Sequence, residues 1–285
     1  MRLIIQKDRS ANIRDLSLWN PVHVLYNLWS HRELIWSLVR REVRQRYRGT
    51  FLGLLWAWII PILMMVIYTF VFSYVFKAKW QGTETQPADF ALILFAGLIA
   101  FNVFSEIANT SPTLILGVPN YVRKVVFPLE VLPVVRLGSA LVNSLISVIL
   151  LVLLNLFLTR SLSRTLIFLP LAYLPLIFLC LASGWFLSSL GVYIRDTAEV
   201  MKVVMRILFF LSPVFYSVEA VPGFLQGVLK VNPLTIILTA FRQSLIWDEP
   251  LSWIIWGAWT VFNALLAYSG YIWFMKTKKG FADVI

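Results

Sequence analysis

The chain has 285 residues and a formal net charge of +11, yet it is 59% hydrophobic and only 14% charged. A soluble domain has about 25% charged residues, so composition excludes a soluble globular protein and predicts an all-α integral membrane protein. Most basic residues flank apolar segments, which favours lipid headgroups as the acidic partner and leads us to expect no nucleic-acid partner.

Residues 1–50 are predicted to form a polar cytoplasmic region that ends in an amphipathic helix lying in the membrane interface. Ser30 and Glu33 have the spacing of a capping box, which indicates a helix start. Apolar residues then recur every four positions: Ile35, Val39, Val43 and Tyr47. Five arginines lie within residues 40–48. We expect the apolar side to face acyl chains and the arginines to lie among headgroups, where they could also serve only as an anchor.

Residues 51–285 are predicted to form the transmembrane domain with six spans. Windows of about 19 residues place the spans at Phe51–Phe76, Asp89–Thr110, Val131–Leu158, Leu166–Ile194, Val203–Ser217 and Ser252–Met275. Six crossings put both termini on one side, and 18 of the 25 Lys and Arg residues then fall on that side. The positive-inside bias predicts a multi-pass protein whose two termini are both cytoplasmic.

The apolar segment Val221–Ile246 is broken by Pro222, Gly223, Gly227 and Pro233. Each piece is too short to cross a bilayer, and a broken backbone is tolerated at membrane depth only where protein or water covers it. The pattern predicts two re-entrant half-helices between spans 5 and 6, entering from the outer face. A loop lying on the outer membrane surface is the alternative.

The sequence lacks the groups that catalysis and cofactor binding require. The only cysteine is Cys180, and the acidic residues are too scattered to gather at a metal or a proton-transfer site. There is no P-loop, so ATP and Mg must be used by a separate subunit, and we expect a permease subunit that is not an enzyme and binds no cofactor or metal. Two predicted cytoplasmic loops, Ser111–Glu130 and Tyr193–Lys202, could dock that subunit.

Four blocks, in this order, resemble the membrane permease of ABC-2 type polysaccharide exporters, which serve O-antigen, capsule and teichoic-acid export. The blocks are VRREVRQRYRGTFLGLLWAWIIPIL, NYVRKVVFPLEVLPVV, RDTAEV and LSPVFYSVEAVPGFLQGVLKVNPLTIILTAFRQSL. The resemblance implies a homodimer carried by two copies of a cytoplasmic ABC ATPase. It also implies the cargo, an O antigen-like glycan on a polyprenyl pyrophosphate, exported across the bacterial inner membrane.

The resemblance also implies two sets of site residues. The coupling set, on the two cytoplasmic loops, contains Asn120, Tyr121, Arg123, Lys124, Arg195 and Asp196. A periplasmic gate would follow span 5, with Tyr216, Pro222, Gly223, Asn232 and Pro233.

Two further sites are predicted from the residues themselves once this cargo is assumed. Arginine can hold phosphate oxygens bidentately, and Gly49 would let backbone N–H groups approach the same anion, so the pyrophosphate is assigned to Arg44, Arg46, Arg48 and Gly49. Aromatic rings can stack on sugars without fixing them, which suggests Trp58, Tyr68 and Phe72 as channel contacts, with an interfacial aromatic belt as the alternative. Two copies about a twofold axis could enclose a glycan-sized pore.

Two other functions remain open. One is an ABC-2 exporter of another substrate, such as capsule, teichoic acid, lipid or drug. The other is an integral-membrane transferase acting on a polyprenyl carrier, which would require a cytoplasmic cluster of carboxylates around a metal.

Overall fold

The computed structural model describes residues 21–49, 51–75, 80, 87–123, 127–160 and 162–285, and every regular element in them is helical. The helices are α1 Pro21–Ser30, α2 Arg32–Tyr47, α3 Trp56–Tyr68, α4 Pro87–Leu114, α5 Pro119–Arg123, α6 Val131–Thr159, α7 Leu169–Tyr193, α8 Thr197–Leu211, α9 Gly223–Val231, α10 Pro233–Arg242, α11 Trp253–Thr277 and α12 Phe281–Val284. Two helices continue as π-helix, α3 through Thr69–Val75 and α10 through Gln243–Trp247. The all-α prediction is confirmed for these residues.

Among the described residues, three segments are long and apolar enough to cross a membrane: Asp89–Leu114, Val131–Thr159 and Arg164–Tyr193. They match the second, third and fourth predicted spans. The first predicted span is a shorter apolar helix, Trp56–Phe72, and the sixth is the 25-residue helix α11. The protein is thus a multi-pass helical protein, while the count of six crossings stays a prediction.

The fifth predicted span is wrong in its bounds. The sequence predicted Val203–Ser217, whereas α8 starts at Thr197 and has only 15 residues. Ser212, the residue after α8, is extended at φ −102° and ψ 147° because the proline at 213 disfavours helical geometry in the residue before it. The helix starts earlier than predicted because its first turns carry charged residues, which a hydropathy window excludes.

Helix α7 packs along α11, and a proline explains how the two helices are joined. Pro175 lies inside α7 and has no N–H, so the carbonyl of Leu171 loses its usual helical partner. The indole N–H of Trp256 on α11 donates to that carbonyl at 3.0 Å. One turn deeper, Asn263 Nδ2 donates to the carbonyl of Pro175 at 3.1 Å. The Leu171 carbonyl that Pro175 leaves unpaired is therefore satisfied by α11.

The segment after α8 contains the predicted pair of half-helices. Helices α9 and α10 meet at an angle of 86°. Asn232 stands at the break, and its Oδ1 accepts from the backbone N–H of Leu234 at 2.9 Å, which caps α10. Its Nδ2 donates to Ser212 Oγ at 3.1 Å, so the break is also joined to the end of α8. Of the four predicted breaks, Pro233 separates the two helices and Pro222 and Gly223 mark the start of α9, whereas Gly227 lies inside α9 and the prediction of a break there is wrong. Re-entry from the outer face stays a prediction.

Helix α2 has the predicted amphipathic pattern, but its apolar side faces protein. Val39 is buried and packs with Val131 and Val135 of α6, and Ile35 and Val43 lie against the same cluster. The expectation that this side faces acyl chains is wrong, because periodicity shows that a partner is apolar without showing which one. The predicted capping box is also absent, since His31 is the N-cap and makes no side-chain cap bond.

The two described ends of the chain meet at one end of the bundle, here called the inner end. It contains Glu130, α5 and α12. Val24 of α1 and Phe281 of α12 are buried in one cluster there, with Tyr121 of α5 packed against it. The opposite end, here called the outer end, contains Trp80 and Asp248.

Candidate functional site

The turn between α2 and α3 presents exposed arginines. Arg44 and Arg48 are both exposed at the inner end of the bundle. Gly49 follows them with φ +84°, a conformation that residues with a Cβ rarely adopt, and no other atom crowds it. The glycine is therefore required by the turn itself.

Arg46 lies in a different environment from its two neighbours. Its guanidinium forms a bidentate ion pair with Glu106 of α4. Arg136 of α6 extends the network, since it pairs with Glu42 of α2, lies 3.6 Å from Glu106 Oε1, and donates to Thr110 Oγ1 at 3.1 Å. These four charged side chains join α2, α4 and α6, and sequence reasoning missed the network because partners lie 60 and 94 residues apart. One signal was available: each charged residue lies near an inner helix end.

A second ion network at the inner end is centred on Glu130, just before α6. Its carboxylate, whose side chain is only 6% exposed, accepts from Lys278 Nζ at 2.6 Å and from Asn27 Nδ2 at 3.1 Å. Burial acts to raise the pKa of Glu130, but the charge of Lys278 and these hydrogen bonds outweigh it and leave the pKa below its ordinary value. The network joins α1, α6 and the segment after α11.

The predicted coupling residues lie on the inner surface. Asn120 and Arg123 are exposed on α5, and Tyr121 stacks on Phe127 with ring centroids 4.6 Å apart. Arg195 and Asp196 are exposed in the turn between α7 and α8. Lys124 lies outside the described residues. The predicted short helix between Pro119 and Pro128 is present as α5.

The predicted channel residues are only half-buried. Tyr68 and Phe72 pack against Phe215, with ring centroids 6.0 and 4.6 Å away. Phe215 contacts Phe209 at 4.8 Å, and Phe209 contacts Phe101 at 5.0 Å. These rings form a continuous line, here called the aromatic line, from α3 to the middle of α4. Trp58 is half-buried near the start of α3.

The predicted gate residues surround the ends of α8 and α9. Tyr216 Oη donates to the carbonyl of Phe210 at 2.8 Å and so satisfies a free carbonyl at the end of α8. Pro222 is the N-cap of α9, and both Pro222 and Gly223 are exposed. Asn232 and Pro233 form the break described above. The residues therefore lie in one segment, and no contact among them shows a gate.

Arg242, which belongs to the segment predicted to form re-entrant half-helices, is buried at 1% exposure. Its Nη2 donates to the carbonyl of Val214 at 2.8 Å, its Nε donates to the carbonyl of Ile93 at 3.2 Å, and its guanidinium lies 4.4 Å from the Trp80 ring centroid. A Cβ at Gly97 would come within 2.7 Å of Nη2, so this glycine makes room for the cation. The described residues place no carboxylate in an ion pair with Arg242.

Comparison with known proteins agrees with the earlier resemblance. A family model described as an ABC-2 type transporter matches residues 33–246. A Myxococcus xanthus protein named O-antigen export system permease protein RfbA is 27% identical, with 81% of this chain and 86% of that protein aligned. A Klebsiella pneumoniae protein of the same name is 23% identical over 93% of this chain and 99% of that protein. An Escherichia coli protein named polysialic acid transport protein KpsM is 27% identical, with 74% of this chain and 80% of that protein aligned.

Proposed function

The chain belongs to the ABC-2 type transporter family, and from this premise we propose that it is the membrane subunit of an ATP-driven exporter of a lipid-linked polysaccharide. The family makes it a transport permease that works with an ABC ATPase. The single observation that selects polysaccharide is that the similar proteins are named for O-antigen export and for polysialic acid transport. The O-antigen permeases align over more of this chain than the polysialic acid protein does, which favours an O antigen-like cargo.

A homodimer is proposed because one copy has a filled interior. Helix α4 is buried from Phe90 to Phe101, and its side chains pack within the main core. The described residues of one copy therefore leave no passage for a hydrated sugar chain along α4. Helix α3 is different, since six of its thirteen residues are exposed large apolar side chains, including Ile60, Leu63 and Ile67. A pathway between two copies, bordered by α3, suits these surfaces.

The pyrophosphate headgroup is proposed to bind Arg44 and Arg48 beside Gly49. Both arginines are exposed and have no ion pair among the described residues, whereas the guanidinium of Arg46 is already held by Glu106. A planar guanidinium can bind phosphate oxygens bidentately, and lysine cannot. Arg44→Lys and Arg48→Lys should therefore slow export, while Arg46→Lys, which can keep an ion pair with Glu106, is the matched control. Normal export by both of the first two variants would leave these arginines as a membrane anchor.

Coupling to the ATPase is proposed through α5 and the turn before α8. Arg123, Arg195 and Asp196 present opposite charges to any protein docked at the inner end. Arg123→Glu should leave the ATPase bound but reduce export per ATP hydrolysed, measured with the reconstituted complex. If Arg123→Glu leaves export per ATP unchanged and only Arg195→Glu reduces it, the contact with the ATPase lies at the turn before α8 instead.

Localisation in the bacterial inner membrane with both termini cytoplasmic is also part of the proposal. Asn27 and Lys278 contact the same Glu130, which supports an even number of crossings between α1 and the residues after α11. Single cysteines at Lys279 and Glu249, in a background without Cys180, should react from the cytoplasmic and periplasmic sides respectively. Reaction of both from one side would contradict the six-span topology.

The export function is tested by deleting the gene in its host and following the polymer. We expect lipid-linked glycan to accumulate on the cytoplasmic side, and a plasmid copy of the gene to restore surface polymer. Accumulation of capsular or teichoic polymer instead would change the cargo within the family. Normal surface glycans together with loss of efflux of a small lipid or drug would overturn the polysaccharide assignment.

A further inference from the structure

A cleft between α4 and α8 belongs to none of the sites above. It has a volume of about 340 Å³ and is lined by residues 101–109 of α4 and residues 202–209 of α8. Ser105 and Asn109 line one wall, and Lys202 and Arg206 line the other. Each pair is spaced four residues apart on its helix, so both side chains of a pair lie on the same helix face. The cleft therefore has a neutral polar wall and a cationic wall.

Asn109 contains a polar atom without a partner. Its Oδ1 is buried and has no hydrogen bond within the described part of the chain, although its Nδ2 donates to Ser105 Oγ at 3.1 Å. Buried polar atoms in proteins are almost always paired, and an unpaired one calls for a missing partner. A carbonyl oxygen needs a donor, and a hydroxyl group of a ligand would be such a donor once the Asn109 amide turns its buried Oδ1 toward the cleft.

The cationic wall is free to receive an anion. Arg206 forms no ion pair among the described residues, and Lys202 pairs only with Glu199, at 2.6 Å on the exposed surface. An exposed pair of this kind contributes little free energy, so an incoming phosphate can replace it. The nearest acid on α4, Glu106, is already neutralised by Arg46 and Arg136.

Aromatic rings close the side of the cleft that lies away from the inner end. Phe101 and Phe209 both line it, with ring centroids 5.0 Å apart. They are also the last two members of the aromatic line that starts at Tyr68 and Phe72. An apolar ring face suits the C–H face of a sugar, and a hydroxyl acceptor beside two cations suits a sugar that carries phosphate.

We propose that this cleft binds the first sugar of the glycan lipid together with the phosphate attached to it. The proposal rests on the proposed export function and adds a substrate contact to it. The pair between Arg46 and Glu106 brings the end of α2 to the residue that follows Ser105 on α4, so the pyrophosphate site at Arg44 and Arg48 and the cleft adjoin the same part of that helix. A phospholipid headgroup with hydroxyl groups, such as phosphatidylglycerol, has the same chemistry and is the other source of ligand.

The test is a binding titration on the permease–ATPase complex in phosphatidylcholine nanodiscs, followed by native mass spectrometry and by ATPase rate. The probes are glycan lipid isolated from the export-deficient host and, separately, phosphatidylglycerol. Asn109→Leu should weaken binding of glycan lipid about tenfold, the loss of one net hydrogen bond, and Arg206→Gln at least as much. Arg41→Gln, which removes an exposed arginine of α2 outside the cleft, is the control.

Thermal stability distinguishes a structural role of Asn109 from a role in ligand binding. Asn109→Leu removes the bond from Nδ2 to Ser105 Oγ but also removes the unpaired Oδ1, so these two effects oppose each other and the apparent melting temperature should change little. A lowered melting temperature in step with binding would overturn the proposal, as would unchanged glycan binding in both variants or a loss confined to phosphatidylglycerol. The export function is tested separately by whether glycan lipid changes the ATPase rate of the wild-type complex. The cleft is tested only by how much weaker the variants bind glycan lipid than the wild type does.

Discussion

The two ends of the bundle are held by different chemistry. At the inner end, two networks pair basic with acidic side chains: Lys278 with Glu130, and Arg46 and Arg136 with Glu42 and Glu106. At the outer end, one buried arginine is held by two carbonyls and an indole ring, with no carboxylate partner among the described residues. A paired charge can be exchanged for another ion pair when helices move, whereas a guanidinium fixed by backbone carbonyls has one geometry. We therefore expect the helices at the inner end to be able to shift relative to one another, and those at the outer end to keep one arrangement.

Arg242→Met should have the largest effect on stability. Methionine can fill part of the space, but the carbonyl of Val214 loses its donor and the Trp80 ring loses its cation. We expect a loss of about 3 kcal/mol, because a buried unsatisfied carbonyl and a partial cavity are added together. This loss of stability can be measured by thermal unfolding in nanodiscs, with tryptophan fluorescence as the signal. A variant as stable as the wild type would show that the burial cost of the cation cancels its contacts.

A double-mutant cycle between Gly97 and Arg242 tests whether this glycine is needed to make room for the buried guanidinium. A Cβ at position 97 would lie 2.7 Å from Arg242 Nη2, so Gly97→Ala should be destabilising in the wild type. In the Arg242→Met background the same change should cost little, because the crowded atom is gone. Equal costs in both backgrounds would show that the glycine is needed for helix packing instead.

Lys278→Met should have the next largest effect, at the inner end. It leaves the nearly buried Glu130 carboxylate without its cation, and we expect a loss of about 2 kcal/mol, below the range for a fully buried pair because Lys278 is 27% exposed. Glu130→Gln in the same protein should recover part of that loss, since the uncompensated charge is removed. No recovery in the double variant would assign the effect to lost packing of the lysine stem.

The Glu130 pair also has a defined pH dependence. The pKa of Glu130 is lower in the folded chain than its ordinary value, so the pair contributes fully above the ordinary glutamate range and is lost as pH falls through the lowered pKa. The stability difference between wild type and Glu130→Gln should therefore be constant from about pH 8 to pH 6. A difference that shrinks within that window would require a raised pKa and contradict the pairing.

The sequence could predict the helices but not their partners. Hydropathy located α4, α6 and α7 to within a few residues, and Pro233 was among the four residues predicted to break the segment of α9 and α10, because these signals are local. The sequence analysis considered lipid headgroups and a docked protein as partners of the basic residues, yet Arg46, Arg136 and Lys278 are paired inside the chain. Their partners lie 60, 94 and 148 residues away, and single-sequence patterns contain no information on such contacts. Arg242 escaped notice for the same reason.

Glu106→Gln should have a smaller effect than the Lys278 variant. The side chains of the network are 22–29% exposed, so water compensates part of the lost attraction, and Arg136 keeps its pair with Glu42. We expect a loss of about 1 kcal/mol, most of it from the bidentate pair with Arg46. The loss should fall at high ionic strength, as expected for partly exposed ions. A loss as large as that of Lys278→Met would place this network among the fixed contacts.

The smallest effect is expected at Asp248, an outer-end carboxylate that forms no ion pair among the described residues, although the charge of Arg164 also acts on it. Its Oδ1 accepts from Ser163 Oγ at 2.9 Å and from the backbone N–H of Thr165 at 3.1 Å, and these bonds hold the pKa of Asp248 below its ordinary value. Asp248 has φ +54°, which asparagine tolerates better than most residues with a Cβ. Asp248→Asn keeps both the backbone geometry and a neutral acceptor, so it should unfold close to the wild-type temperature, while Asp248→Ala should unfold at a lower temperature. If Asn and Ala variants lose stability equally at neutral pH, the charge itself is what matters at this position, and the outer end then resembles the inner one more closely than its hydrogen bonds indicate.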